Sequence, residues 1–300
     1  MTESIPAPSA ARLQPLAVLE LFKPITWFPP VWAFGCGIAS SGQPLSAHWP
    51  TALIGLVLAG PMVCATSQAV NDWFDRHVDA LNEPGRPIPS GRIPGRLGLA
   101  IALVWTVASL CVASLLGTSG FAAATFGLAL AWAYSAPPFR LKQNGWWGNS
   151  AVGLCYEGLP WITAAAIMTG QAPSWRTALI ALLYSLGAHG IMTLNDFKSI
   201  AGDRISGIRS LPVQLGAAAA ARLACITMAI AQLVVIALLI GWERPWHAAA
   251  IAALLTIQLV LMRRLLTKPR ELAPWYNSTG VSLYVLGMLV TAFALAGIAS

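Results

Sequence analysis

Charged residues are scarce in this 300-residue chain, and acidic residues are the scarcest of them. Only 10% of the residues are charged and 11 are acidic, whereas a soluble domain typically carries about 25% charged residues. Hydrophobic residues make up 57% of the chain, and long apolar runs recur from one end to the other. Because lipid cannot satisfy exposed backbone groups, such runs predict an all-α integral membrane protein.

Several motifs of soluble enzymes are also missing. The chain contains no Walker loop, no G-x-G-x-x-G turn and no G-x-S-x-G nucleophile, so a phosphate group would be held by metal and side chains rather than by a glycine-rich loop. The five cysteines stand singly in apolar runs, without the C-x-x-C spacing of metal sites. We expect them to be small buried hydrophobic residues.

Nine apolar segments are long enough to be membrane spans. We place them at 24–41, 51–74, 97–116, 119–136, 149–169, 175–196, 217–241, 246–266 and 277–298. Residues 1–15, MTESIPAPSAARLQP, are polar, rich in proline and alanine, and lack the apolar core of a cleaved signal peptide. We therefore expect a disordered cytoplasmic tail followed by a single nine-helix domain over residues 16–300.

Lysine and arginine residues separate sharply between the two sides of this predicted bundle. Of the 18 in the chain, 16 fall on one side and two, Arg176 and Arg244, on the other. Cytoplasmic loops carry the excess of basic residues, which places the amino terminus and the long loops in the cytoplasm and the carboxyl terminus outside. The net charge of +7 reflects this orientation in the cytoplasmic (inner) membrane and does not indicate nucleic-acid binding.

The few acidic residues concentrate in NDWFDRHVDALNEPGRPIPSG, residues 71–91. If the second span continues as a helix, Asn71, Asp75 and Asp79 are spaced i, i+4 and i+8, and Asp72 lies three residues before Asp75. Like charges on one face repel one another, so we expect a compensating cation. Carboxylates beside an amide oxygen suit Mg²⁺, which typically binds one or two carboxylates together with water and substrate phosphates.

A second stretch, NDFKSIAGDRISGIRSLP at residues 195–212, repeats the pattern at the end of the sixth span. Both stretches open with Asn-Asp, at 71–72 and 195–196, and both continue to an Asp-Arg pair, at 75–76 and 203–204. An ion-paired membrane rim explains one such stretch better than two, so we expect the two to face each other across the bundle. The basic residues that would then suit phosphate oxygens are Lys23, Arg86, Arg140, Lys142, Lys198 and Arg204.

The two acidic stretches resemble the aspartate motifs of the UbiA superfamily of intramembrane prenyltransferases. Three further strings resemble the chlorophyll synthase branch of that superfamily: KPITWFPPVWAFGCG (23–37), YSAPPFRLKQNGWWGN (134–149) and SLPVQLG (210–216). NDWFDRHVDALNEP and GIMTLNDFKS are most similar to the bacteriochlorophyll synthases within it. The resemblance covers nearly the whole chain after residue 16, and it implies nine helices around a central cavity open to the cytoplasm and to lipid.

The resemblance also implies a metal site. Two Mg²⁺ ions would bridge the aspartate motifs and a prenyl diphosphate. Carried over by position, the first set of ligands comprises Asn71, Asp72, Asp75 and Asp79. The second set comprises Asp196 and Asp203, together with the neighbouring Asn195. Many members have further acids in the second motif, where this chain has Ser199 and Ala201.

The implied reaction joins the C17 propionate of a bacteriochlorophyllide to a geranylgeranyl or phytyl chain and releases diphosphate. The acceptor carboxylate is already ionised at pH 7, so it needs no general base. Chlorophyllide as acceptor, and prenylation of another aromatic ring or a haem precursor, are the alternatives within the enzyme class. A secondary transporter is the alternative outside it, disfavoured because most of the acids lie at span ends rather than at the midplane. Protein partners in pigment assembly are left open.

Four other residues are candidates for contact with the pigment or the prenyl chain. Trp73 and Phe74 lie beside the aspartates. Glu157 and His189 are polar residues within apolar runs, and each is expected to face the bundle interior with a partner. Three alternatives stay open for them: a mutual structural pair, a contact with the macrocycle, and an axial bond from the imidazole to the pigment's central Mg²⁺. Lys23 either reaches the diphosphate or snorkels to the interface.

Overall fold

The computed structural model describes residues 14–299, so residues 1–13 of the predicted tail lie outside it. Within the described residues the fold is all-helical, as predicted, with fifteen α-helices. In chain order they are α1 (Pro15–Phe22), α2 (Phe28–Ser40), α3 (Leu45–Val57), α4 (Ala65–Asn82), α5 (Leu97–Ser114), α6 (Gly117–Ser135), α7 (Gly145–Gly153), α8 (Leu159–Thr169), α9 (Trp175–Asn195), α10 (Ile200–Ile205), α11 (Leu211–Leu215), α12 (Ala217–Gly241), α13 (Pro245–Leu265), α14 (Pro269–Ser278) and α15 (Gly280–Ala299). The last predicted tail residue, Pro15, instead begins α1, where its fixed φ suits the first helical position.

Seven helical stretches are long and apolar enough to cross a membrane, which confirms a multi-pass membrane protein. The second predicted span is much longer than expected and runs from Leu45 to Asn82, so the helix does continue past Asp79 in the first acidic stretch. The predicted first and fourth spans correspond to α2 and α6, which are not among the seven. The nine-span count therefore stays a prediction.

Two π-helical segments interrupt the long helices. Leu58–Cys64 joins α3 to α4 and contains Pro61, which has no backbone N–H to donate, so the hydrogen-bond ladder shifts there. Leu154–Gly158 joins α7 to α8 in the same way, just before Pro160. Both segments line the central cavity described below, in keeping with the frequent occurrence of π-helical turns at functional sites.

Small residues let the central helices approach closely. A Cβ atom added at Gly153 would lie 2.6 Å from the carbonyl oxygen of Ser185 on α9, so α7 and α9 could not pack as they do. Polar contacts also join the helices: Gln232 on α12 and Gln258 on α13 are both fully buried and exchange two hydrogen bonds, at 3.2 and 2.9 Å. Such reciprocal amide pairs satisfy polar groups that lipid would leave unpaired.

The loops that carry the basic and acidic residues are hydrogen-bonded to each other at one end of the bundle. The backbone N–H of Gly145 donates to the carbonyl oxygen of Arg209 at 2.9 Å, and the N–H of Arg209 donates to that of Gln143 at 2.9 Å. This bridge fixes the segment before α7 against the segment after α10. As a result, the ends of α6, α9 and α10 meet around one polar region.

Candidate functional site

The first acidic stretch forms one face at the end of α4, and the protein's own cations neutralise it. Asp72 has 1% of its surface exposed and accepts from the Lys23 ammonium at 2.6 Å. Arg86 reaches the same carboxylate at 3.5 Å and donates to Asp79 at 2.8 Å. The compensating charge expected from the stacked acids is therefore present as side chains.

The third acid of this face, Asp75, is paired with the segment between α6 and α7. Lys142 donates to it at 2.5 Å and Arg140 at 3.3 Å. Burial lowers the pKa of Lys142, and the attraction of Asp75 opposes this shift. Arg140 itself has a φ of +40° and Lys23 a φ of +46°, a backbone region that non-glycine residues rarely adopt. Strained residues of this kind tend to cluster at functional sites.

Glu83 completes the cluster just past the end of α4. Its two carboxylate oxygens accept from Arg86 at 2.7 and 2.8 Å. These hydrogen bonds lower the pKa of Glu83 below its usual value. We call the eight side chains the first-motif cluster, four acids matched by four cations: Asp72, Asp75, Asp79, Glu83, Lys23, Arg86, Arg140 and Lys142.

The second acidic stretch follows α9 and is held by neutral donors instead. Asn149 on α7 donates to Asp196 at 3.1 Å. The Ser199 hydroxyl donates to Asp203 at 3.0 Å. Thus the serine that replaces a further acid in this motif positions one of the remaining ones, and within residues 14–299 neither carboxylate forms an ion pair.

A cavity of about 590 Å³ lies between α4 and α9. Its wall is largely apolar and includes Ile25, Pro30, Val63, Leu130 and Ile191. Its polar end is formed from both acidic stretches, by Asn71, Asn195, Asp196, Lys198 and Ser199. The expected convergence of the two stretches is therefore present, with their shared polar end opening onto an apolar chamber.

The donors suit a hard cation, although no ready-made metal cage exists. Within residues 14–299, no three His, Cys, Asp or Glu side chains are grouped to hold a metal ion. However, Asp72 Oδ2 is buried without a hydrogen-bond partner, and the amide of Asn71 and the carboxylate of Asp196 face the cavity. Oxygen donors of this kind are those that Mg²⁺ prefers when phosphates and water complete its shell.

The two aromatic residues beside the aspartates are placed differently from the prediction. Trp73 packs under the guanidinium of Arg76, 4.0 Å from its ring centroid, and Phe74 meets Trp132 edge-on at 6.2 Å. Neither ring is part of the cavity wall. The helical spacing explains this, because residues directly beside Asp72 and Asp75 project about 100° away from the acidic face.

The mutual pair expected of Glu157 and His189 is not formed, and that alternative is wrong. His189 Nδ1 instead lies 3.2 Å from the Ser150 hydroxyl, and its ring stacks on Trp146 at 5.8 Å. Glu157 Oε2 and His189 Nε2 are both buried without a partner. Glu157 lines the cavity, whereas His189 does not, because it lies on the side of α9 that packs against α7.

The remaining predicted cations divide between the cavity and its surroundings. Lys198 lines the polar end of the cavity and forms no ion pair within residues 14–299. Arg204 is exposed on α10 and is likewise not part of the first-motif cluster.

Sequence reasoning missed several polar residues that build the site. The hydroxyl of Tyr156 accepts from Gln68 at 3.1 Å on the cavity wall, and Tyr134 also lines the cavity. Asn277 on α14 donates to the side-chain oxygen of Asn195 at 2.7 Å. Asn149, which holds Asp196, ends the string NGWWGN that carried the family resemblance. In the sequence, that string was the one signal that could have pointed to these residues.

Comparison with known proteins gives a consistent result. A sequence model described as the UbiA prenyltransferase family matches residues 27–286. The chain is 60% identical over 285 residues to the bacteriochlorophyll synthase 33 kDa chain of Cereibacter sphaeroides, covering 95% of this chain and 94% of that one. It is 37% identical over 289 residues to the chloroplastic chlorophyll synthase of Arabidopsis thaliana, covering 92% and 73%.

Solved structures share the fold. A UbiA homologue from Archaeoglobus fulgidus, bound to DMAPP and Mg²⁺, superposes with a TM-score of 0.73 at 19% sequence identity, over 94% of this chain and 99% of that one. The same homologue bound to GPP and Mg²⁺ gives a TM-score of 0.70 over 91% and 99%. At this identity the likeness concerns the fold alone.

Proposed function

The chain belongs to the UbiA prenyltransferase family, and on this basis we propose that it esterifies the C17 propionate of bacteriochlorophyllide a with geranylgeranyl or phytyl diphosphate. The assignment of bacteriochlorophyllide as the acceptor rests on the 60% identity to a bacteriochlorophyll synthase, against 37% to a chlorophyll synthase. The geometry agrees with this chemistry, because an apolar chamber ends at two acidic stretches, as a substrate with an apolar prenyl chain and a diphosphate head requires.

The metal ligands are part of the proposal. We assign one Mg²⁺ to the first acidic stretch and a second to the other, with the ligands Asn71, Asp72, Asp75, Asp79, Asn195, Asp196 and Asp203. Bound there, Mg²⁺ neutralises the diphosphate and makes it a better leaving group. The relatives of known structure that hold a prenyl diphosphate together with Mg²⁺ support this assignment.

The cations of the first-motif cluster have two successive roles in this proposal. In the free protein Lys23, Arg86, Arg140 and Lys142 hold the carboxylates. When the diphosphate enters, the same side chains turn to its oxygens and release the carboxylates for metal binding. The diphosphate is thereby bound by side chains that are already at the site in the free protein.

The cavity protects the reaction from water. Departure of the diphosphate leaves positive charge on the allylic C1 carbon, which water would capture if it were present. The apolar wall excludes water along the prenyl chain, so the ionised propionate is the nucleophile within reach. The carboxylate oxygen forms the new C–O bond while the electron pair of the broken bond leaves with the diphosphate, and no proton is transferred.

The architecture around the site completes the proposal. The residues from 16 onward form one domain of nine spans, with α2 and α6 added to the seven long apolar stretches. The cavity's polar end faces the cytoplasm, since the basic loops lie at the same end. A soluble prenyl diphosphate then enters from the cytoplasm and the ester leaves into lipid.

The deciding experiment supplies the purified protein with geranylgeranyl diphosphate, Mg²⁺ and either bacteriochlorophyllide a or chlorophyllide a, and identifies the ester by mass spectrometry. We expect ester from bacteriochlorophyllide a at the higher rate. Asp196→Asn should lower turnover about 100-fold or more, since it removes a carboxylate assigned to the Mg²⁺ that neutralises the leaving group. The matched control is Glu271→Gln, which removes an exposed acid paired with Lys268. Preference for chlorophyllide, or full turnover in excess chelator, contradicts the proposal.

A further inference from the structure

Lys198 differs from every other basic residue near the site. Within residues 14–299 it is the one lysine or arginine that lines the cavity. The four cations of the first-motif cluster are each bonded to a carboxylate, whereas Lys198 forms no ion pair. Its neighbour Asp196 is instead held by Asn149. The cavity therefore presents one positive charge that forms no ion pair with a carboxylate of the described chain.

The proposed reaction places two anions beside one carbon atom. The diphosphate is bonded to C1, and the propionate oxygen must approach the same C1. Two like charges a few Å apart repel more strongly at a protein surface than in bulk water, because the effective dielectric constant is lower there. A second cation, separate from those on the diphosphate, is needed for the acceptor.

We infer that Lys198 binds the acceptor's propionate carboxylate and holds it beside C1. This inference rests on the proposed function, and it replaces the expectation that Lys198 contacts the diphosphate. The division follows the two acidic stretches: the four cations of the first-motif cluster surround the first stretch and suit the diphosphate, whereas Lys198 of the second stretch lines the cavity and suits a single carboxylate. Lys198 acts through its charge and donates a hydrogen bond to the carboxylate, which keeps a lone pair for C1.

The same arrangement favours release of the product. The carboxylate becomes an ester oxygen when the C–O bond forms, and the ester has no charge. Its ion pair with Lys198 is then lost, while the diphosphate keeps its cations. The ester is therefore no longer held at the site by an ion pair, and it is free to move into lipid.

The test compares two pigments that differ only in the charge of one group. Binding of bacteriochlorophyllide a and of its C17 methyl ester is measured from the change in pigment absorption, with wild type and Lys198→Met. The wild type should bind the free acid roughly 10- to 100-fold more tightly than the methyl ester, as expected for a hydrogen bond between charged groups. Lys198→Met should bind both pigments with nearly equal affinity, at the level of the wild-type affinity for the ester.

Two further variants make the result specific. Lys142→Met removes a cation of the first-motif cluster, so it should raise the KM for prenyl diphosphate and leave the acid-to-ester ratio unchanged. Arg263→Met removes an exposed charge on α13, away from the cavity, and should change neither quantity. Methionine preserves the length of the apolar stem at each position.

The outcomes separate the two ideas. If wild type makes ester but Lys198→Met keeps the acid-to-ester ratio and loses affinity for prenyl diphosphate, Lys198 serves the diphosphate and the inference is wrong. If wild type neither binds bacteriochlorophyllide nor esterifies it, while prenyl diphosphate still binds, the proposed function is wrong instead.

Discussion

Glu157 shows how much a single residue depends on contacts that the sequence does not reveal. Its carboxylate is buried on the cavity wall, and Oε2 has no hydrogen-bond partner. Burying an ionised carboxylate without a partner is costly, whereas a neutral amide of the same shape costs less. We predict that Glu157→Gln keeps or raises the melting temperature of the purified protein.

His189→Gln is the matched comparison, because it removes the contact with Ser150 and the stacking on Trp146. One such hydrogen bond contributes about 1 kcal/mol, so this variant should melt at a lower temperature than wild type. A clear fall in the melting temperature of Glu157→Gln, equal to that of His189→Gln, would mean that the carboxylate has a partner after all.

The placement of the acidic residues on one helix face was predictable from the sequence, but their hydrogen-bond partners were not. The i, i+4 and i+8 spacing is enough to place Asn71, Asp75 and Asp79 on one face once α4 is helical. The partner of Asp75, in contrast, is Lys142, 67 residues away, and that of Asp196 is Asn149, 47 residues away. Such pairings depend on how helices pack, which helical periodicity alone does not determine.

At the scale of elements, the acidic helix end and the loops against it form a neutral unit. The first-motif cluster has four acids and four cations, joined by ion pairs of 2.5 to 3.5 Å. A metal ion arriving alone meets carboxylates already neutralised, and a diphosphate arriving alone must compete with the carboxylates for the cations. Each ligand, when it binds alone, therefore has to break ion pairs within the cluster. When both bind, the metal pairs with the carboxylates and the diphosphate pairs with the cations, so the broken ion pairs are replaced.

We predict that Mg²⁺ and prenyl diphosphate bind cooperatively. Coupling of this kind is reciprocal, and typical values of about 1–3 kcal/mol correspond to roughly 5- to 150-fold in affinity. Titration calorimetry should show weak binding of either ligand alone and tight binding of each in the presence of the other. In Lys142→Met the carboxylate of Asp75 loses its shortest ion pair, so Mg²⁺ alone should bind more tightly than in wild type. Equal Mg²⁺ affinity with and without diphosphate would exclude this coupling.

Helix positions were easier to predict than helix ends. The predicted spans at 97–116 and 217–241 nearly match α5 and α12, because their apolar runs end abruptly. The span predicted at 51–74 fails at both ends, since α3 begins at Leu45 and α4 continues to Asn82 with a low mean hydropathy. A polar helix packed against other parts of the protein looks like a loop when hydropathy is the guide. Only the side-chain spacing of its acids indicated the helix.

At the scale of the whole molecule, the acids and cations gathered at one end of an apolar bundle fix the direction in which it works. The prenyl substrate and the product differ in solubility, because a prenyl diphosphate is anionic at one end and the ester product is soluble in lipid. A cavity with a polar end and an apolar wall accepts the first from water and returns the second to lipid. The orientation of the bundle in the membrane is therefore part of the mechanism.

That orientation is open to a direct test. We predict that the loop between α4 and α5 is cytoplasmic and that the carboxyl terminus is outside, because 16 of the 18 basic residues lie on the predicted inner side. An odd number of spans is required, and this holds for the seven long stretches alone and for the nine obtained when α2 and α6 are both added. Alkaline phosphatase, active only outside the cytoplasm, should be inactive when fused after Arg92 and active when fused after Ser300. A fusion after Gly170, in the loop between α8 and α9, is the positive control. If the carboxyl-terminal fusion is inactive while this control is active, the number of spans between Gly170 and Ser300 is odd, and the nine-span architecture is wrong.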